Sequence, residues 1–346
     1  MTDSPAAPAV SDVQAVLPEA LRHPAVLRLL RLSVAEDVHP RGDEAAIETA
    51  PPRDVTSAAT LAPDTPLEGR LVAKEAGIVA GLPLARALFR LVDPALSLAP
   101  AVEEGARVEA GHTVATVAGP GPALLTAERP ALNFVGRLSG IATRTRRFVE
   151  AVAHTDAHIL DTRKTLPGHR RPDKYAVRQG GGRNHRMGLH DMVLIKDNHI
   201  DGAGGVGEAL RRVRETHGDD FPVEVEVSRL GELETALAFA PEYVLLDNMD
   251  LDTMRRAVQH TDGRALLEAS GGIALDTVAA VAETGVDRIS VGALTHSAPV
   301  LDISMRAGCP RNHPRSRASA TPSRDPFLPT QPCLPPSMTL PTTTHL

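Results

Sequence analysis

The sequence predicts an α/β fold: an incomplete α/β barrel of six to seven strands behind a smaller N-terminal α+β sandwich domain. Three observations predict it. Downstream of residue 157, short apolar runs alternate with amphipathic stretches, the pattern of parallel strands joined by right-handed crossovers. Each of these runs ends on polar residues, as in barrels, whose sites gather at the C-terminal strand ends. The six candidate runs are too few to close an eight-stranded barrel.

Taken in order, residues 1–23 are rich in Ala, Pro and Ser and are expected to be disordered. An N-terminal domain is expected over 24–125. It opens with Pro24 in a first-turn position, followed by Val26, Leu27, Leu29, Leu30 and Val34 at helical spacing. His39 to Arg53 is polar and bounded by prolines, and reads as a loop. Leu67–Lys74 alternates as a strand, Gly77–Gly81 is a second short apolar run, and Leu82–Val92 is amphipathic. Arg107–Glu109 and His112–Val117 flank Gly111 like a hairpin. The barrel domain is expected over 126–305. Thr126 to His154 reads as one long leading helix, with Thr126 as N-cap and Glu128, Arg129 and Pro130 in the first turn. Candidate strands are His158–Asp161, Met192–Ile195, Val223–Val227, Tyr243–Leu246, Ala265–Ala269 and Arg288–Val291. Residues 306–346 are Pro-rich without apolar periodicity, and disorder is expected.

The chain has 346 residues, 42% hydrophobic and 23% charged, ordinary values for a globular protein with a substantial core. Aromatic residues make up 2%, and the net charge is −6. Stacking on single-stranded nucleic acid and a broad phosphate-backbone footprint are therefore not expected. No apolar run approaches a membrane span of about eighteen residues, and the N-terminus lacks the pattern of a secretory signal. Cys309 and Cys333 both lie in the tail, so a cytoplasmic protein without disulfides is expected.

Asp161 to Ile200 breaks the acidic balance. It carries Arg163, Lys164, Arg170, Arg171, Lys174, Arg178, Arg183, Arg186 and Lys196, with His169, His185, His190 and His199. A charge run is usually a solvated helix face. This one, however, begins at the end of one apolar strand and closes at the end of another, with Gly180-Gly181-Gly182 between. Basic side chains at neighbouring strand ends converge, and converging Arg and Lys bind carboxylate or phosphate. The other strand ends add acceptors. Glu224 and Glu226 share a face, and Asp247-Asn248 follows. Ser270-Gly271-Gly272, expected to lead straight into a helix, and Ser290 to Gly292 suit phosphate. The site thus combines a cationic pocket for a small anion, a phosphate cradle, and the carboxylates Glu226 and Asp247, which suit sugar hydroxyls, a hydrated magnesium or developing positive charge on a sugar carbon. His185, beside Arg186, is expected to be an uncharged orienting donor. No HExxH or Cys/His ligand spacing predicts zinc.

The segments DTRKT-PG, KYAV, GGG, NHRMGL and LIKDNHI, in this order and spacing, resemble the quinolinate phosphoribosyltransferase family over roughly residues 24–305. The resemblance implies the incomplete barrel, and marks 39–53 as an insertion between Glu36-Asp37 and Asp54-Val55-Thr56-Ser57. It implies transfer of phosphoribose from phosphoribosyl pyrophosphate to quinolinate, giving nicotinate mononucleotide, pyrophosphate and CO2 in NAD biosynthesis. By motif match, Arg129, Arg163, His185, Arg186 and Lys196 would bind the quinolinate carboxylates, and Thr162 would also bind substrate. Lys164, Glu226, Asp247, Ser270, Gly271, Gly272, Ser290 and Gly292 would serve the phosphoribosyl side, with Lys164, Glu226 and Asp247 catalytic. Mg²⁺ is the implied cofactor, held through the pyrophosphate with Glu226 and Asp247 nearby. A homodimer with shared sites is implied, Arg129 coming from the partner subunit. The alternative within the resemblance is a molybdenum-transport-associated paralogue acting on another heteroaromatic carboxylate, which CO2 release would separate.

Overall fold

A computed structural model describes residues 10–39, 42 and 53–310 of the chain. Most of the expected loop at 39–53 and the tail from residue 311 lie outside the described residues. Two sheets organise it. In the first, strands β1 (Pro66–Ala73), β3 (Ser97–Pro100), β5 (Thr113–Pro120) and β12 (Ile303–Gly308) pair antiparallel in the order β12-β1-β5-β3. In the second, β6 (His158–Leu160), β7 (Val193–Ile195), β8 (Val223–Val227), β9 (Tyr243–Asp247), β10 (Leu266–Ser270) and β11 (Arg288–Ser290) run parallel in the order β6-β11-β10-β9-β8-β7. These six strands are the incomplete barrel. β6 and β7 do not pair. Between them a single parallel bridge, Leu160 to Arg183, is all that stands for a seventh strand.

The Gly180–Gly182 crossing shapes this opening. A Cβ on Gly180 would lie 2.5 Å from the Ala142 carbonyl oxygen, and one on Gly182 would lie 2.8 Å from Thr145 Cγ2. Only hydrogen at these positions lets the backbone pass against the long helix. The adjoining helix Arg170–Gln179 is locked down by Arg137, which grips the buried Asp173 with both guanidinium arms at 3.0 and 2.7 Å. Tyr175 donates to Glu104 at 2.9 Å, and Glu104 also accepts the Gly81 and Leu82 amides at the start of helix Leu82–Val92. One carboxylate thus joins the first domain to the basic helix.

Several expectations need correction. Residues 10–23 are ordered: Val10–Ala15 is helical, and Val13, Leu17 and Leu21 are buried. They anchor a short helix and a following 3-10 turn, Glu19–Leu21, that the Ala/Pro composition masks. The long helix runs Gly121–Ala151, so it begins five residues before Thr126, with Pro122 in its first turn. Thr126 is not its cap; its hydroxyl donates to the Pro122 carbonyl at 2.9 Å and lies 3.1 Å from Asp54. Arg129 and Pro130 accordingly lie well inside the helix. The turn at Gly111 exists, but β4 (Arg107–Val108) pairs with β2 (Gly77–Ile78), not with β5. At the end of the span expected for the barrel domain, β12 leaves the barrel sheet and pairs with β1 from Ala73↔Ile303 to Glu68↔Gly308. Among the described residues, no helix is long and apolar enough to cross a membrane.

Candidate active site

The strand ends meet in an order that the sequence alone does not reveal. Following the sheet, β6 delivers Asp161, Thr162, Arg163 and Lys164, and β11 beside it delivers Ser290 and Gly292. Next comes β10 with Ser270, Gly271 and Gly272, in register with Asp247 on β9. Glu226 on β8 and Lys196 after β7 complete the rim. Lys164 therefore adjoins the glycine loops, and the two carboxylates lie between those loops and Lys196.

Local contacts hold each group. Asp161 is buried and takes three donors: Lys174 Nζ, Asn184 Nδ2 at 2.6 Å and the His185 amide at 2.9 Å. Burial pushes the Asp161 carboxyl up and the Lys174 ammonium down, while each supports the charge of the other. Lys174, counted in the basic run by sequence, is thus a buried strut: its Nζ also donates to the His185 carbonyl at 2.9 Å. Arg170 likewise braces the loop, donating to the carbonyls of Met187 and Arg163 at 3.3 Å. Thr162 accepts the Lys164 amide at 3.1 Å, while the Arg163 and Lys164 side chains are exposed. Thr295, unmarked by any sequence signal, donates to the Lys164 carbonyl at 2.8 Å. Lys196 pairs with Glu226 at 3.0 Å. Arg186 donates to the Met192 carbonyl at 3.1 Å; burial lowers its pKa, and the nearby Arg163 charge lowers it further.

The phosphate loops differ from expectation. The helix after Gly272 begins only at Val278, so no helix dipole points at Ser270-Gly271-Gly272. Gly271 and Gly272 hold left-handed φ of +98° and +60° instead. A Cβ on Gly271 would fall 2.2 Å from Asn248 Oδ1, and Asn248 donates to Asp247 at 2.8 Å. The glycine therefore leaves room for the side chain that orients a site carboxylate. At Gly292 a Cβ would lie 2.8 Å from Lys164 Cδ, so the lysine stem runs across it. Ser290 is buried within β11.

His185 departs furthest from expectation. Its ring turns into the barrel, Nε2 lying 2.9 Å from Glu224 and 3.4 Å from Glu268, both fully buried. Burial alone would push the imidazole down, but hydrogen bonds and charge from these two carboxylates outweigh it and push it up to about 9. The Arg186 amide donates to Nδ1 at 2.7 Å, a contact that suits the neutral ring. A ring protonated at Nε2 alone satisfies both contacts, Nε2 facing the carboxylates and Nδ1 accepting the amide, while the two carboxylates favour the cationic form. The ring is oriented by its two neighbours, as expected of an orienting donor, but nothing local to NHRMGL announces Glu224 and Glu268.

The quinolinate phosphoribosyl transferase C-terminal domain matches residues 141–306, and the N-terminal domain of the same family matches 54–139. A Mycobacterium leprae protein, nicotinate-nucleotide pyrophosphorylase [carboxylating], is 48% identical over 268 residues, covering 73% of this chain and 90% of the relative. The chain belongs to the quinolinate phosphoribosyltransferase family. A Nicotiana tabacum member, quinolinate phosphoribosyltransferase [decarboxylating] 2a, mitochondrial, is 45% identical over 271 residues, covering 73% of this chain and 77% of its own length. Among solved structures, the Francisella tularensis nicotinate-nucleotide pyrophosphorylase superposes with a TM-score of 0.76 at 35% identity, over 84% of this chain and all of that one. The two quinolinate phosphoribosyltransferase domains meet within the helix Gly121–Ala151, which both share. Arg129 is exposed on that helix and makes no hydrogen bond or ion pair with the rim residues among the described residues.

Proposed function

We infer that the chain transfers the phosphoribosyl group of phosphoribosyl pyrophosphate to the ring nitrogen of quinolinate, with loss of CO2, to give nicotinate mononucleotide in NAD biosynthesis. The observation that carries this reading is the order of the rim: Lys164 and the glycine loops on one side, Asp247 and Glu226 in the middle, Lys196 on the other. Arg163, Arg186 and Lys196 offer cations to the two ring carboxylates, with His185 behind them. Lys164 and the backbone of Gly271, Gly272 and Gly292 face the phosphates. Asp247 and Glu226 supply the negative charge that favours a cationic sugar carbon. As the bond from C1 to the pyrophosphate oxygen breaks, the ring nitrogen forms its bond to C1. The positive charge of the quaternised nitrogen then stabilises the carbanion left at the adjacent carbon when CO2 departs, and that electron pair takes up a proton.

The donor set also fits Mg²⁺. Two carboxylates on adjacent strands, without a closed cage, suit an ion that keeps its waters and binds largely through substrate phosphates. Bound there, Mg²⁺ would neutralise charge on the departing pyrophosphate, with Glu226 and Asp247 nearby. The same reading makes the protein a cytoplasmic homodimer in which Arg129 serves the neighbouring copy's site. Incubation with quinolinate and phosphoribosyl pyrophosphate should release CO2 and pyrophosphate in equal amounts, dependent on Mg²⁺. Transfer to nicotinate, with no CO2 from quinolinate, would refute the assignment.

A further inference from the structure

Lys164 carries its charge on a long, flexible stem, so its place at the rim has to be set by whatever holds the residue. The sheet does not hold it, because β6 ends at Leu160 and Lys164 lies in the loop beyond. No backbone N–H donates to the Lys164 carbonyl among the described residues. Its hydrogen bond comes from the Thr295 hydroxyl, 131 residues along the chain, at 2.8 Å.

Thr295 has a nearer acceptor. In a helical turn a threonine hydroxyl commonly bonds back to a carbonyl of the preceding turn, and here the Gly292 carbonyl lies at 3.3 Å. A hydroxyl has a single proton to donate, and the shorter contact crosses to Lys164. Thr295 is itself fixed. It is buried, its N–H donates to the Gly292 carbonyl at 3.2 Å, and its own carbonyl lies 3.5 Å from the Arg137 arm that grips Asp173 at 2.7 Å. The same turn serves the other end of the lysine. A Cβ on Gly292 would lie 2.8 Å from Lys164 Cδ, so the stem occupies the space that a side chain there would fill. Backbone and stem of one lysine are thus both set by residues 292–295.

We propose that Thr295 is a positioning residue for Lys164: its hydroxyl fixes the Lys164 carbonyl while Gly292 leaves room for the stem, and the two aim the ammonium at the phosphates of phosphoribosyl pyrophosphate, on the reading above in which Lys164 serves that substrate. Thr295 touches no substrate. Because the ammonium stands at the far end of the stem, a small turn of the Lys164 peptide is magnified there, and a misplacement of about 1 Å at a substrate-binding group is costly.

The test rests on two substitutions with opposite losses. Thr295→Val keeps the shape and removes the hydroxyl, whereas Thr295→Ser keeps the hydroxyl and removes the methyl. Calorimetric titration of the full chain with phosphoribosyl pyrophosphate and Mg²⁺ should show affinity weakened roughly tenfold by Val, the size of one lost contact to a charged ligand, and close to wild type with Ser. A residue that only packs would give the reverse order. In steady-state kinetics, Val should raise KM for phosphoribosyl pyrophosphate and alter KM for quinolinate far less. In a Lys164→Ala background, Val should change the affinity by less than about twofold, since a residue that acts through Lys164 then has nothing left to position. Equal losses in the two backgrounds overturn the proposal, as does normal affinity in folded Thr295→Val or a Ser variant weaker than Val. Thr295→Ala, read the same way, stands in for Val if Val does not fold. A wild type that fails to bind phosphoribosyl pyrophosphate overturns the reading of the site and the role of Thr295 with it. A wild type that binds, and weakens on Lys164→Ala but not on Thr295→Val, overturns the role of Thr295 alone.

Discussion

Arg163 and Lys164 stand exposed at the end of β6, yet their backbone is tied by Arg170, Thr162 and Thr295. Their side chains are therefore free for a ligand while the loop that carries them is fixed. Replacing either by Ala should cut kcat/KM at least roughly tenfold, the loss of one charge-assisted bond of about 1.5–3 kcal/mol, with the melting temperature unchanged. A normal rate from a folded variant would remove the residue from the site. Gly271→Ala makes a different prediction, because its Cβ would collide with Asn248 and its backbone angle is left-handed. The expected outcome is a higher KM for phosphoribosyl pyrophosphate, read by steady-state kinetics, with quinolinate KM little altered. His185 adds a pH dependence to stability. Its pKa is raised in the folded protein to about 9, so its contribution is full below the unfolded value of about 6.5 and is lost as pH rises through about 9. The difference in melting temperature between wild type and His185→Gln should be largest near pH 6 and shrink by pH 9.5.

At the level of elements, the six parallel strands were legible because each is a short apolar run with a polar end, and their positions agree with expectation to within a residue or so. The helix Leu82–Val92 was legible for the same reason of periodicity. What escaped was pairing. Nothing local says that Arg107–Val108 joins Gly77–Ile78, or that Ile303–Gly308 joins β1, since register depends on distant partners. The start of the long helix escaped because Pro122 and Thr126 both look like openings, and tertiary packing chose the earlier. The rim residues could be named from sequence, whereas the buried pairs Asp161–Lys174 and Arg137–Asp173 that hold them could not. The Gly180–Gly182 crossing yields a prediction at this scale. Gly180→Val should destabilise by about 1–3 kcal/mol through overpacking against Ala142 and Thr145. Denaturant midpoints would show it, and an unchanged midpoint would mean that the helix yields.

For the molecule as a whole, the proposed shared site makes a stoichiometric prediction. If Arg129 serves the neighbouring copy, inactive Arg129→Ala and Lys164→Ala chains should complement one another in mixed dimers. One site of each hybrid carries both defects and the other carries neither. Random mixing makes about half the dimers hybrid, so roughly a quarter of wild-type activity per site should return. Hybrids confirmed by mass but inactive would place Arg129 in its own subunit's site or outside any. The path of the chain has a consequence in time. The first sheet opens with β1, yet the partner at its edge, β12, is among the last described residues to leave the ribosome. Until some 230 further residues have been made, β1 has one neighbour in β5 and a bare edge on the other side. Emerging chains must carry that open edge through the synthesis of the entire barrel, and the sheet that begins the protein is the last to be sealed.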